Sequence, residues 1–179
     1  MNENKGLKEY LLMGLIALIC ILVHYGMIIL KPFFYQVYRH EYYLTFHTML
    51  EFASVLMAFS IFPVAFYTFQ RSKCLRTLIV ACIFLMIGLL DAFHTLSYKG
   101  MPDFFTFNCA NKATTFWIIG RLITGLGLML ISWMPSSWTA KMRGIHHLMI
   151  TGCLAICGYF LYIVAFRRGV IPPMFIEGQ

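Results

Sequence analysis

The sequence predicts an all-α fold, a polytopic transmembrane helix bundle with five spans. Three observations lead there. Of the 179 residues, 60% are hydrophobic and only 12% charged, and the mean hydropathy is +0.76. A soluble domain carries about 25% charged residues, so this chain has too little polar surface to fold facing water. The apolar residues also gather into five runs of roughly the 20 residues that a bilayer crossing requires. Between the runs lie short segments with the Gly, Pro and basic residues that flank membrane helices. The length suits one compact domain over residues 1–179.

The first span is expected over residues 10–30; no small-residue cleavage motif follows it, so it is a retained helix and not a signal peptide. The segment "KPFFYQVYRHE" ends it. The second span, residues 43–69, contains Pro63, which removes one backbone donor and should bend the helix in its inner half. The short "QRSK" turn sends the third span, residues 75–96, back antiparallel to the second. After "YKGMPDFFTFNCANK" comes the fourth span, residues 114–134, where Gly120, Gly125 and Gly127 permit close helix approach. "PSSWTAKMRG" leads to the fifth span, residues 147–166, and "RRGVIPPMFIEGQ" closes the chain.

Basic residues in short loops set orientation. With the N-terminus inside, the cytoplasmic side holds Lys5, Lys8, Arg71, Lys73, Arg76, Lys141 and Arg143, against Lys31, Arg39, Lys99, Lys112, Arg167 and Arg168 opposite. The tight cluster around the 70–76 turn decides for an N-terminus in the cytoplasm. Five spans then leave Gln179 outside, and a further membrane helix is expected to follow. The net charge of +7 comes without a basic block or interleaved aromatics, which excludes nucleic acid as a partner and leaves membrane lipid. The six cysteines show no disulfide or paired-ligand spacing and are expected to pack as small apolar residues.

Ionisable residues inside spans are costly, by about 2.5–3.5 kcal/mol on insertion scales, and each is a functional hypothesis. Glu51 and Asp91 are the acids, Arg121 the base, and His24, His47 and His94 the imidazoles. His47 and Glu51 are spaced i,i+4, and Asp91 and His94 i,i+3, so each pair shares a helix face. In an antiparallel hairpin these four residues fall at nearly one depth in the outer half. Arg121 and His24 enter at a similar level from the fourth and first spans.

Two carboxylates meeting in lipid would repel unless one were protonated or a cation intervened. A divalent transition metal, Zn, Fe or Mn, held by His47, Glu51, Asp91 and His94 removes that problem, and helix-borne ligand pairs build bundle metal sites in this way. Haem is an alternative cofactor, with His47 and His94 or His24 as axial ligands and Arg121 at a propionate. An organic ligand is another, held by Arg121 and closed in by Tyr98 and Trp117. The plain alternative is an ion-pair triad of Glu51, Asp91 and Arg121 that sets helix register; His24 alone reads as a core histidine.

Four segments carry a resemblance. "FHTMLEFASVLMAFSIF" (46–62), "LDAFHTLSYKGMP" (90–102), "NKATTFWIIGRL" (111–122) and "PPMFIEGQ" (172–179) resemble the bacterial membrane-associated sensor domains of the MASE type, in their third class. The similarity runs from about Tyr25 to the end. It implies an N-terminal multi-helix input in the bacterial inner membrane. Such inputs are followed by cytoplasmic modules such as diguanylate cyclases, which make cyclic di-GMP, or the histidine kinases of two-component systems. It also implies a homodimer and no enzymatic activity in this chain. The expected function is therefore signal sensing: a metal or small ligand binds between the second and third helices and shifts their packing. The rivals are a haem-binding electron carrier and an intramembrane metal-dependent hydrolase. A transporter would need polar residues along the whole bilayer, whereas these gather on one side.

Overall fold

The computed structural model describes residues 3–37, 40–140, 142–167 and 169–175, with side chains from Tyr10 to Pro32 and from Tyr43 onward. Expectations resting on the side chains of Lys5, Lys8, Arg39, Lys141 and Arg168, or on residues 176–179, lie outside the described residues.

The described residues form five helices and no strands: α1 (Glu3–Val37), α2 (His40–Ser72), α3 (Leu75–Leu96), α4 (Ala110–Trp133) and α5 (Ile145–Phe166). All five are long and apolar enough to cross a membrane. Their number and order are those expected, but boundaries move. Helix α1 runs through Lys31 and Pro32 to Val37, where a turn was expected, and α2 runs unbroken through Pro63 to Ser72. One proline removes a single donor, and the apolar residues on either side keep the helix going. Helix α4 starts at Ala110, four residues before the expected position, because Lys112 is buried and its charge is satisfied within the protein.

Two compact units divide the chain, residues 1–45 and residues 46–179. In the first, α1 exposes every side chain from Tyr10 to Pro32, Gly26 apart; this all-round apolar stretch of 23 residues has the pattern of a bilayer span.

In the second unit α3 is the core helix. Leu78, Ala81 and Leu90 have no exposed surface. Leu78, Cys82 and Leu85 pack with Phe69 of α2 and Cys153 of α5; Leu90 packs with Phe116 of α4 and Cys157 and Val164 of α5. Two glycines set how closely the helices approach. A Cβ at Gly88 would lie 3.0 Å from the Phe59 ring of α2, and one at Gly127 would lie 2.6 Å from Ile83 of α3. Gly125 has nothing within 4 Å, so its expected role in close approach is not used inside this unit. Cys82, Cys153 and Cys157 are buried, and all six cysteines are free thiols.

At one end of this unit the α2–α3 turn is tied to the α4–α5 loop. Lys73 adopts a left-handed φ of 54° and donates its N–H to the Phe69 carbonyl at 2.8 Å. Leu75 N–H donates to the Trp138 carbonyl at 2.8 Å, and Ala140 N–H to the Lys73 carbonyl at 2.9 Å. The hairpin is thereby fixed at its turn, which sets the register of α2 against α3 at the opposite end, where the polar residues lie.

Candidate functional site

The hairpin brings His47 and Glu51 of α2 against His94 of α3. One ligand atom from each lies within 4.8 Å of the others, and among the described residues this is the one such group of His, Cys, Asp or Glu. The His47 and His94 rings are perpendicular with centroids 5.9 Å apart. His94 Nε2 stands 4.0 Å from Glu51 Oε1, too far for a hydrogen bond. The His94 side chain is 7% exposed and that of Glu51 19%.

His94 is oriented by α4. Its Nδ1 lies 2.8 Å from the Ala113 carbonyl. A carbonyl only accepts, so Nδ1 carries the hydrogen and, in the neutral ring, Nε2 presents its lone pair towards Glu51. This is the arrangement seen behind metal-ligating histidines, where the second nitrogen donates to a backbone carbonyl and fixes tautomer and angle. Tyr98, just past α3, closes the group: its ring centroid is 4.8 Å from that of His47 and 6.3 Å from that of His94.

Asp91 goes elsewhere. It has no exposed surface, and Arg121 of α4 donates to its Oδ1. Residues three apart on a helix differ by about 60° in direction, enough here for His94 to face α2 while Asp91 faces α4. Gly120 of α4 lies beside the pair, where a Cβ would sit in ordinary contact, 3.5 Å from Asp91 Oδ1. The repulsion between the two carboxylates, which the sequence reading assigned to a metal, is therefore relieved for Asp91 by Arg121. Nor do Glu51, Asp91 and Arg121 make one triad: Asp91 and Arg121 form a pair, and Glu51 faces His94. The other expected ligand-binding residues scatter. Trp117 is exposed on α4, with no ring contact to His47, His94 or Tyr98 among the described residues. His24 is exposed on α1, its ring edge-on to Tyr25 at 6.0 Å.

The 97–109 loop, read from sequence only as a connector, holds the site's end of the bundle. Asn108 organises it. Its side-chain nitrogen donates to the carbonyls of Leu96 at 2.8 Å and Pro102 at 2.9 Å, and its N–H to Asp103 Oδ1 at 3.0 Å. Lys112, 3% exposed, donates to the carbonyls of Phe104 at 2.6 Å and Thr106 at 3.0 Å and to Asn108 Oδ1 at 3.0 Å. Three oxygens thus serve the three protons of an ammonium group that sequence reading placed in an outer loop. The Asn108/Lys112 spacing of i,i+4 was the available signal. Lys112→Met is expected to leave those oxygens without their shared donor and lower stability by about 2 kcal/mol, read as a drop in the thermal midpoint of the detergent-solubilised protein. The orientation of His94 should persist, because Ala113 acts through its backbone.

The model of the MASE3 family, a membrane-associated sensor domain, matches residues 38–179. That begins somewhat later than the similarity read from about Tyr25, and it contains every residue of the His47, Glu51, His94 and Tyr98 group as well as the Asp91–Arg121 pair. Comparison with curated proteins and with solved structures finds no match. A family match over most of the chain and five helices able to cross a bilayer make this a multi-pass membrane protein, and the chain belongs to the MASE3 family of membrane-associated sensor domains.

Proposed function

We propose that the chain, read as one sensory domain over residues 1–179, senses through a divalent transition metal held by His47, Glu51 and His94 and relays its occupancy to a cytoplasmic signalling module. The observation that carries this reading is the Nδ1 bond from His94 to the Ala113 carbonyl. It supports a lone pair on Nε2, aimed at a carboxylate 4.0 Å away. Two basic atoms at that distance stand close to the spacing of a metal site, because bonds of about 2.1 Å place neighbouring ligand atoms about 3.0–3.4 Å apart in octahedral or tetrahedral geometry. The ligand atoms of the group lie within 4.8 Å of one another, so the side chains close by about 1 Å on binding.

Closure would draw α2 towards α3 and pull on His94, which is bonded to α4. Signalling requires only that the metal bind one packing of the three helices better than another. The output module is of the diguanylate cyclase or histidine kinase type, and the signalling unit a homodimer. The chain itself performs no catalysis: with Glu51 a ligand and Asp91 engaged by Arg121, a hydrolase would have no free carboxylate beside the metal as base. Haem fits less well, because the guanidinium expected at a propionate is engaged by Asp91.

Elemental analysis of the detergent-purified protein tests the reading. Near-stoichiometric transition metal is expected, without a Soret band; a metal-free protein sinks the proposal, and a Soret band replaces it with haem. Orientation is tested separately. The site and the exposed Lys99 lie at the end proposed to face outward from the bacterial inner membrane. With Cys74 and Cys109 replaced by serine, a cysteine at position 99 should react with an impermeant thiol reagent in whole cells, and one at position 72 only after lysis. The opposite pattern would invert the topology.

A further inference from the structure

The donor set narrows both the metal and what it senses; the argument rests on the metal reading above. We propose that the centre holds ferrous iron and that its open coordination positions take up a small neutral diatomic ligand, of the kind represented by nitric oxide or oxygen.

The number of ligands comes first. The structure gathers two imidazoles and one carboxylate, while the fourth candidate, Asp91, is engaged by Arg121 of α4. A closed structural zinc site takes four protein ligands. Two histidines and one carboxylate with free positions make the donor set of non-haem ferrous centres, whose vacant sites bind dioxygen and its analogues. Zinc(II) has a filled d shell and no redox chemistry, so it cannot donate an electron to hold such a molecule. Ferrous iron can.

Access points to the same class of ligand. His94 is almost enclosed and Glu51 largely so, both on helices apolar enough to lie in a bilayer. A charged ligand entering among those helices would lose hydration that apolar side chains do not replace. A neutral diatomic dissolves in lipid and arrives without that loss. The Tyr98 ring, tilted against His47 and edge-on to His94, narrows the approach further and favours a small molecule. Binding at a vacant position is an addition in which one iron–ligand bond forms; where a water occupies that position, one iron–water bond breaks and the water leaves.

The test loads the detergent-solubilised chain with an equimolar ferrous salt without oxygen and adds nitric oxide. The wild-type protein should develop the electron paramagnetic resonance signal of a high-spin ferrous nitrosyl together with a visible charge-transfer band. Glu51→Gln, which keeps the side-chain shape and removes the anionic donor, should lose most of that signal, and zinc added first should suppress it. Metal binding that depends on Glu51, combined with no nitrosyl signal after iron loading, overturns this inference and leaves the metal reading intact. A protein that takes up neither iron nor zinc overturns both. A nitrosyl signal of equal strength in Glu51→Gln places the iron elsewhere and overturns the assignment to this site.

Discussion

His94→Ala and Glu51→Gln are expected to purify with little of the transition metal that the wild-type protein carries. Replacing a residue that only orients a ligand typically costs 10–100-fold in metal affinity; losing one of three ligands should cost more than about 100-fold. The two variants fail in different ways, which makes them informative together. His94 is a buried residue bonded to Ala113, so its truncation also opens a void and leaves that carbonyl without its donor. Some loss of thermal stability is expected along with loss of metal. Glu51 is more accessible, and glutamine preserves its shape, so Glu51→Gln should lose metal with a nearly unchanged thermal midpoint in the metal-free state. Added zinc should raise the midpoint of the wild-type protein and not of either variant, because a ligand stabilises only the state that binds it. Equal metal content in all three proteins would leave the cluster as packing alone.

Arg121→Met should be the most destabilising single substitution among the polar residues of the spans. It strands the Asp91 carboxylate, which has no exposed surface, has Oδ1 bonded to Arg121 and has Oδ2 without a hydrogen-bond partner among the described residues. Removing one member of a buried pair costs about 3–5 kcal/mol because the remaining charge is uncompensated. The asymmetry of the pair supplies the control. The Arg121 side chain is 42% exposed and that of Asp91 1%, so Asp91→Asn leaves behind a cation that can reach other partners and should cost less. The double variant Asp91→Asn/Arg121→Met should then be more stable than Arg121→Met alone. A double variant as unstable as the sum of the singles would show that the pair does not couple. Metal content adds a second discrimination. Asp91→Asn should retain metal if three residues form the centre, and should lose it as Glu51→Gln does if all four residues read from the sequence are ligands.

The contrast between three and four ligands marks where sequence reasoning stops. The shared level of His47, Glu51, Asp91 and His94 followed from the hairpin, and i,i+3 and i,i+4 spacing put each pair on one face. Spacing specifies a face only to within the width of a side chain's swing, about 60° for residues three apart. Within that arc α3 divides its polar pair between two neighbours. Arg121 was legible as the sole base well inside a span, but its partner was not, since five acidic or imidazole groups, His24, His47, Glu51, Asp91 and His94, lay at its level. Lys112 was misread for a related reason: a lysine next to a turn looks solvated unless one knows that a loop folds back to offer it carbonyl oxygens.

Hydropathy and turn residues by themselves determined five membrane-length helices, their order, the antiparallel α2–α3 hairpin and a polar level near one end, since burial in lipid acts on each segment almost independently of its neighbours. Only the tertiary structure decided how each helix is rotated about its own axis. That rotation is set by contacts between distant residues, Phe59 against Gly88 and Ile83 against Gly127, and no local pattern encodes it. It turns His94 towards Glu51 and Asp91 towards Arg121.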